Sequence, residues 1–241
     1  MSTDAFLITC EHGGNDVPEA YAALFHGQDA VLATHRGWDP GALTMAHALA
    51  KGLSTLPPIV ATVTRLLVDL NRSTDRPDLF SEFSGVLDSP GREQVLEVHY
   101  KPYRLAVEQE VARLVASGQR VIHVSSHSFT PNLNGDERNC DVGLLYDPRR
   151  RAELEIANRW QAALKRVSLR ELPTPLRIRR NYPYHGRTIG FPTRLRSRYS
   201  EQQYCGFELE MNQAIVSADP GQWAAERAVM VESLRAAMSF A

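Results

Sequence analysis

Short apolar runs alternate with amphipathic stretches along this chain, and the alternation predicts an α/β fold on a mixed, mostly parallel central sheet flanked by helices. Residues 5–10, 59–70, 120–125 and 207–211 carry the β-branched and apolar character of strands. Residues 41–53, 93–117, 149–164 and 222–238 space apolar side chains three and four apart and predict helices. In the longest of these the stripe is Val95, Val98, Tyr103, Val107, Val111 and Leu114. Residues 71–92, 128–139 and 173–204 break both patterns with proline, glycine and polar residues, and read as loops. The first two follow strands, where α/β proteins gather ligand-binding groups.

Composition narrows the class. At 241 residues, 43% hydrophobic, the chain can bury one sizeable core, so residues 1–241 are expected to form a single domain. With 27 basic and 28 acidic residues, no global field favours nucleic acid or an anionic membrane. Arginines and aromatics interleave near residue 180, but without a nucleic-acid readout motif. Cys10, Cys140 and Cys205 are odd in number and widely spaced, which fits a reducing compartment. No run approaches the roughly 18–20 apolar residues of a membrane span, and no secretion signal is evident at the start. A cytoplasmic protein with a small-molecule partner is expected.

Chemistry clusters at the strand ends. Cys10-Glu11-His12-Gly13-Gly14-Asn15 leaves the first strand, placing His12 at a crevice with two glycines that permit close backbone approach to a ligand. Imidazole beside carboxylate is a suitable donor set for Zn²⁺. The run Ser125-Ser126-His127-Ser128 ends another strand. His123 and His127 are expected to point to opposite sides, leaving His127 as the better ligand and His123 packed within the sheet. Asp69-Leu70-Asn71-Arg72 ends a third apolar run, and Arg72 offers a planar fork for a carboxylate, with Asn71 beside it. Glu208 and Glu210 share strand parity, opposite Phe207, Leu209 and Met211, and suit a general base and proton donor. Asp39 precedes a helix as either its cap or a metal carboxylate. Tyr184, His185 and Arg187 sit in a loop as candidate substrate contacts.

In this order, CEHGGNDVP, WDPGA, DLNR, SSHSF, CDVGLLYD, NYPYHGR and FELEMNQ resemble the N-formylglutamate amidohydrolase family over nearly the whole chain. The resemblance implies a phosphorylase/hydrolase-like α/β domain, distantly similar to zinc carboxypeptidases, and metal-dependent hydrolysis of an N-acyl amide. The carboxypeptidase pattern implies metal binding by His12 and His127, carboxylate binding by Asn71 and Arg72, and a late glutamate base, with Glu210 preferred to Glu208. Three residues after His12, where that pattern has glutamate, stands Asn15. The third ligand is therefore sought in Asp39 first and Glu11 second, with Asn15 left among the substrate contacts. The rival readings are a deacylase or carboxypeptidase-like hydrolase of another N-acyl amino acid or peptide, and a non-catalytic binding protein that has lost the metal.

Overall fold

The computed structural model describes residues 4–187 and 190–239. Its strands are β1 Asp4–Cys10, β2 Ile59–Val60, β3 Arg120–Phe129, β4 Asn132–Leu133, β5 Asp136–Glu137, β6 Val142–Leu145, β7 Ile178–Arg180 and β8 Tyr204–Asn212. The helices are α1 Asp29–Leu32, α2 Ala42–Gly52, α3 Ser89–Val95, α4 Lys101–Ala116, α5 Arg151–Glu171, α6 Phe191–Arg196, α7 Gln213–Ala218 and α8 Pro220–Met238. Six strands form the central sheet in the order β2-β1-β3-β8-β6-β7. The first four run parallel, whereas β6 turns antiparallel against β8 and takes β7 with it. The mixed, mostly parallel sheet expected from the alternation is present.

Each sheet face has its own core. Met45, Leu49, Trp160, Leu164 and Met230 pack with Ile8, Val124, Phe207 and Leu209 on the face covered by α2, α5 and α8. On the other face Leu67, Val68, Val107 and Phe191 pack with Leu7, Val121 and Tyr204. Strand alternation extends this second face upward from apolar to polar: Leu7 leads to Thr9, Val121 to Ser125 and His127, and Tyr204 to Glu208 and Glu210. The lower half of the face is core, and the upper half is the site.

Several elements depart from the pattern-based expectation. The predicted strand over 59–70 joins the central sheet at Ile59 and Val60, with one isolated bridge beyond them from Val63 to Asp16. Beyond them the chain bonds to the 12–16 segment through Gly13 N to Ala61 O and Thr64 N to Asp16 O, then turns at Thr64–Leu67. Leu67, Val68 and Leu70 are still buried, because an apolar run records burial as readily as strand pairing. The helix expected over 93–117 is α3 joined to α4 by a π-helical segment, Leu96–Tyr100. Pro102 lacks the N–H that a regular helix would donate there. The widened turn shifts the stripe, so Val98 is exposed while Val95 and Tyr103 are buried. α5 runs to Glu171, β3 continues through Phe129, and the remaining predicted loops contain α3, the β4–β5 hairpin, β7 and α6.

Candidate active site

The loop after β1, the turn before α2 and the end of β3 bring His12, Asp39 and His127 together, all three buried. Asp39 Oδ2 lies 2.8 Å from His127 Nδ1 and 3.4 Å from His12 Nδ1. One ligand atom from each residue falls within 4.8 Å of the others. The remaining nitrogen of each ring is also committed: His12 Nε2 donates to Asp69 Oδ1 over 2.8 Å, and His127 Nε2 is 3.2 Å from Glu11 Oε2. Carboxylates behind imidazoles orient the rings and raise their basicity, as in metal centres with histidine ligands. Glu11 is held in turn by the hydroxyls of Tyr103 and Ser125.

Charge supports the same reading. Burial alone would raise the Glu11, Asp39 and Asp69 carboxyls, but their neighbours prevail and hold all three well below the usual range. Those neighbours are His127 for Glu11, His12 for Asp39 and Arg65 for Asp69. Burial likewise opposes charge on His127, yet Asp39 and Glu11 raise its pKa well above the ordinary value. Arg65 bridges Asp39 Oδ1 at 3.2 Å and Asp69 Oδ2 at 2.6 Å. Asp39 and Asp69 thus face one guanidinium and Glu11 faces His127, so a cation that displaces the His127 proton would sit between the imidazoles in a field of net negative charge. The donor set, its charge and its second row of carboxylates fit a divalent metal.

The site opens into a cavity of about 350 Å³ lined by His12, Asp39, Arg65 and His127 together with Asn71, Arg72, Ser128, Leu145, Pro183, Tyr184, His185, Glu208 and Glu210. Cross-strand register sets Glu210 opposite His127 and Glu208 opposite Ser125. Their environments differ. Glu208 accepts from Asn71 Nδ2 at 2.9 Å, while Glu210 Oε2 is buried without a hydrogen-bond partner among the described residues. Burial pushes the Glu210 carboxyl up to about 8, and Glu208 is raised in the same direction, also by burial. Gly190, at φ +111, passes so close that a Cβ would stand 2.5 Å from Glu208 Oε1.

The expected site residues divide by position. His12, Asp39, His127, Asn71, Arg72, Tyr184, His185, Glu208 and Glu210 converge on the cavity. Glu11 stands behind the His127 ring rather than beside the candidate ligand atoms. Asn15 turns away and donates to Leu32 O at 3.0 Å. Arg187 is exposed and does not line the cavity. Gly13 and Gly14 approach Ala61 O and Thr62 O, so their lack of a Cβ serves chain packing rather than a ligand. His123, Ser125 and His127 share one strand face, correcting the expectation of opposite sides. Depth separates the histidines: His123 lies lower, bonded to Thr9 Oγ1 at 2.8 Å and Tyr204 OH at 2.7 Å, and burial lowers its pKa to about 4. The sequence pattern assigns no site role to Arg65, Asp69, Tyr103 or Ser125, which the structure places around the two imidazoles. An arginine and an aspartate four apart inside an apolar run were the available signal.

Residues 4–217 match the family model described as N-formylglutamate amidohydrolase. A gene product of Agrobacterium tumefaciens with a crystal structure is 26% identical, with a TM-score of 0.80 over 98% of this chain and 90% of that one. The N-formylglutamate amidohydrolase of Ralstonia eutropha JMP134 is 15% identical, with a TM-score of 0.67 over 99% and 94%. A metallo-carboxypeptidase of Burkholderia cenocepacia is more remote, at 15% identity and a TM-score of 0.40 over 100% and 58%. No curated protein matches the chain by sequence.

Proposed function

The chain belongs to the N-formylglutamate amidohydrolase family, and from that premise we propose that it hydrolyses the N-acyl amide of a small carboxylated amino acid, N-formylglutamate being the first candidate. The observation that carries the reading is the His12–Asp39–His127 cluster facing the same cavity as Glu210, whose Oε2 has no hydrogen-bond partner among the described residues. His12, Asp39 and His127 would hold a divalent cation, and two imidazoles with one carboxylate favour zinc. When bound, the cation supplies Lewis acidity toward the acyl carbonyl and the attacking water.

The chain's own groups perform the rest. Hydrolysis breaks the C–N bond, gives the acyl carbon the oxygen of water and returns a proton to the departing nitrogen. Glu210 is assigned that proton transfer, because its Oε2 has no hydrogen-bond partner among the described residues and burial raises its proton affinity. Glu208 is tied to Asn71, whose Oδ1 accepts from Phe191 N at 2.6 Å, so this pair braces the wall of the cavity. Arg72, with Nε on Asp78 at 2.9 Å, is assigned the substrate carboxylate. Asp69 and Glu11 fix the imidazoles, and Arg65 holds Asp39 and Asp69 in place. Leu145 and Pro183 contribute apolar wall, and Tyr184 and His185 line the cavity from the 181–187 loop. The cavity size suits a small molecule.

The test is metal analysis of the purified protein with a panel of N-acyl amino acids, reading free amino acid released. About one metal per chain and turnover of N-formylglutamate are expected. Turnover of another N-acyl acid alone would change the substrate and keep the chemistry. Absence of metal and of activity after adding Zn²⁺ or other divalent ions would overturn the catalytic reading.

A further inference from the structure

A second cavity, of about 270 Å³, adjoins the first at Asn71 and Arg72. Four arginines line it (Arg72, Arg76, Arg104 and Arg194), with Ser73, Thr193 and Ser197, and none of the described lining residues is acidic. The ion pairs leave it positive. Arg72 and Arg76 share Asp78, and Arg194 and Arg198 share Glu108. Arg104 is the decisive group. It is 5% exposed, it donates through Nη1 to the main-chain carbonyls of Leu70 and Arg72, and its guanidinium lies 3.7 Å over the Phe191 ring. Four guanidiniums thus share two carboxylates, and a fifth, that of Arg104, is buried with main-chain carbonyls as its hydrogen-bond acceptors. Exposed arginines alone are commonly just solvated, but a buried cation is costly without a counter-charge. An oxyanion in this cavity would supply one, in the fork geometry that guanidinium favours.

We infer that this cavity is a second anion subsite, taking a carboxylate or phosphate that the substrate carries away from its scissile amide. The substrate part of the inference rests on the deacylase reading; the anion part does not. Arg76 and Arg194 form the half-exposed rim, so their substitution leaves the packing around Arg104 and Phe191 in place. Arg104→Met removes the buried charge and keeps much of the side-chain volume.

The experiment compares the wild type, Arg76→Gln/Arg194→Gln and Arg104→Met, each folded by circular dichroism. Calorimetry measures binding of glutarate and of inorganic phosphate, and kinetics compare N-formylglutamate with N-formylglutamine. The double variant is expected to weaken glutarate or phosphate by about tenfold or more, the equivalent of one strong charge-assisted contact. It should also raise KM for the diacid about tenfold more than for its neutral amide, with kcat moving little. Loss of phosphate binding alone would identify a phosphate-bearing ligand. Unchanged binding of both anions overturns the subsite, and anion loss with an unchanged diacid-to-amide ratio overturns its assignment to substrate. If no N-formyl amino acid is hydrolysed, the deacylase reading fails while the binding measurements still decide whether the anion subsite exists.

Discussion

Compared with each other, the buried charges around Glu153 and Arg196 and those around His12 and His127 are built differently. Around Glu153 and Arg196 the hydrogen-bonding capacity is extensively used. Glu153 accepts from Arg196 Nε at 2.9 Å, Gly206 N at 3.0 Å and Asp147 N at 2.8 Å, and Arg196 Nη2 donates to Gly206 O at 2.7 Å. That cluster ties α5, α6 and β8 together and lies outside the candidate cavity. Around His12 and His127 carboxylates back the imidazoles, His12, Asp39 and His127 line a cavity, and Glu210 Oε2 has no hydrogen-bond partner among the described residues. Satisfied burial serves architecture; unsatisfied burial facing a cavity leaves capacity for a ligand.

Breaking each cluster should therefore have different consequences. His127→Ala is expected to abolish stoichiometric metal and reduce turnover to background, read by elemental analysis and amino-acid release from a protein that remains folded. Glu210→Gln should keep the metal and lower kcat by about 10²–10⁴-fold, the usual contribution of a positioned acid–base group. Glu153→Ala reverses the pattern. It strands the buried Arg196 and should cost roughly 3–5 kcal/mol in urea unfolding, with the metal-to-chain ratio of the folded protein unchanged. Asp69→Asn weakens the support of His12 together with the Arg65 brace and should lower metal affinity by about 10–100-fold, measured by chelator competition.

A further effect is on pH dependence. Burial raises the Glu210 carboxyl from 4.5 to about 8, so between those values the native metal-free protein binds more protons than the unfolded chain. The Glu210 contribution to stability must then fall as pH rises through that window and level off above it. Thermal melts of chelator-treated protein should show Glu210→Gln gaining on the wild type from pH 5 to pH 8. A constant gap between the two would contradict this ionisation.

Much of the candidate site was legible because strand ends and polar residues coincide in the sequence. His12, His127, Asn71 with Arg72, and the Glu208–Glu210 pair each stand at the end of an apolar run or within one, and they meet at one cavity. The helices were legible in position, since apolar spacing reports which face is buried. Boundaries were less so: the 59–70 run is mostly not strand, because hydrophobicity records burial and not the partner that accepts the backbone hydrogen bonds.

What the sequence by itself determined is the inventory of chemistry and its order: two histidines, an Asn-Arg pair and two glutamates of one parity on an α/β scaffold. The tertiary structure decided the partnerships. Asp39 joins the histidines across 27 and 88 residues, Glu11 moves behind His127, and Asn15 turns to Leu32. Arg65, placed in an apolar run, becomes the brace of two aspartates. These outcomes depend on sheet order and on which backbone segment the 61–64 stretch bonds to. Distance along the chain carries no record of either, because side chains meet through the packing of elements rather than through sequence spacing.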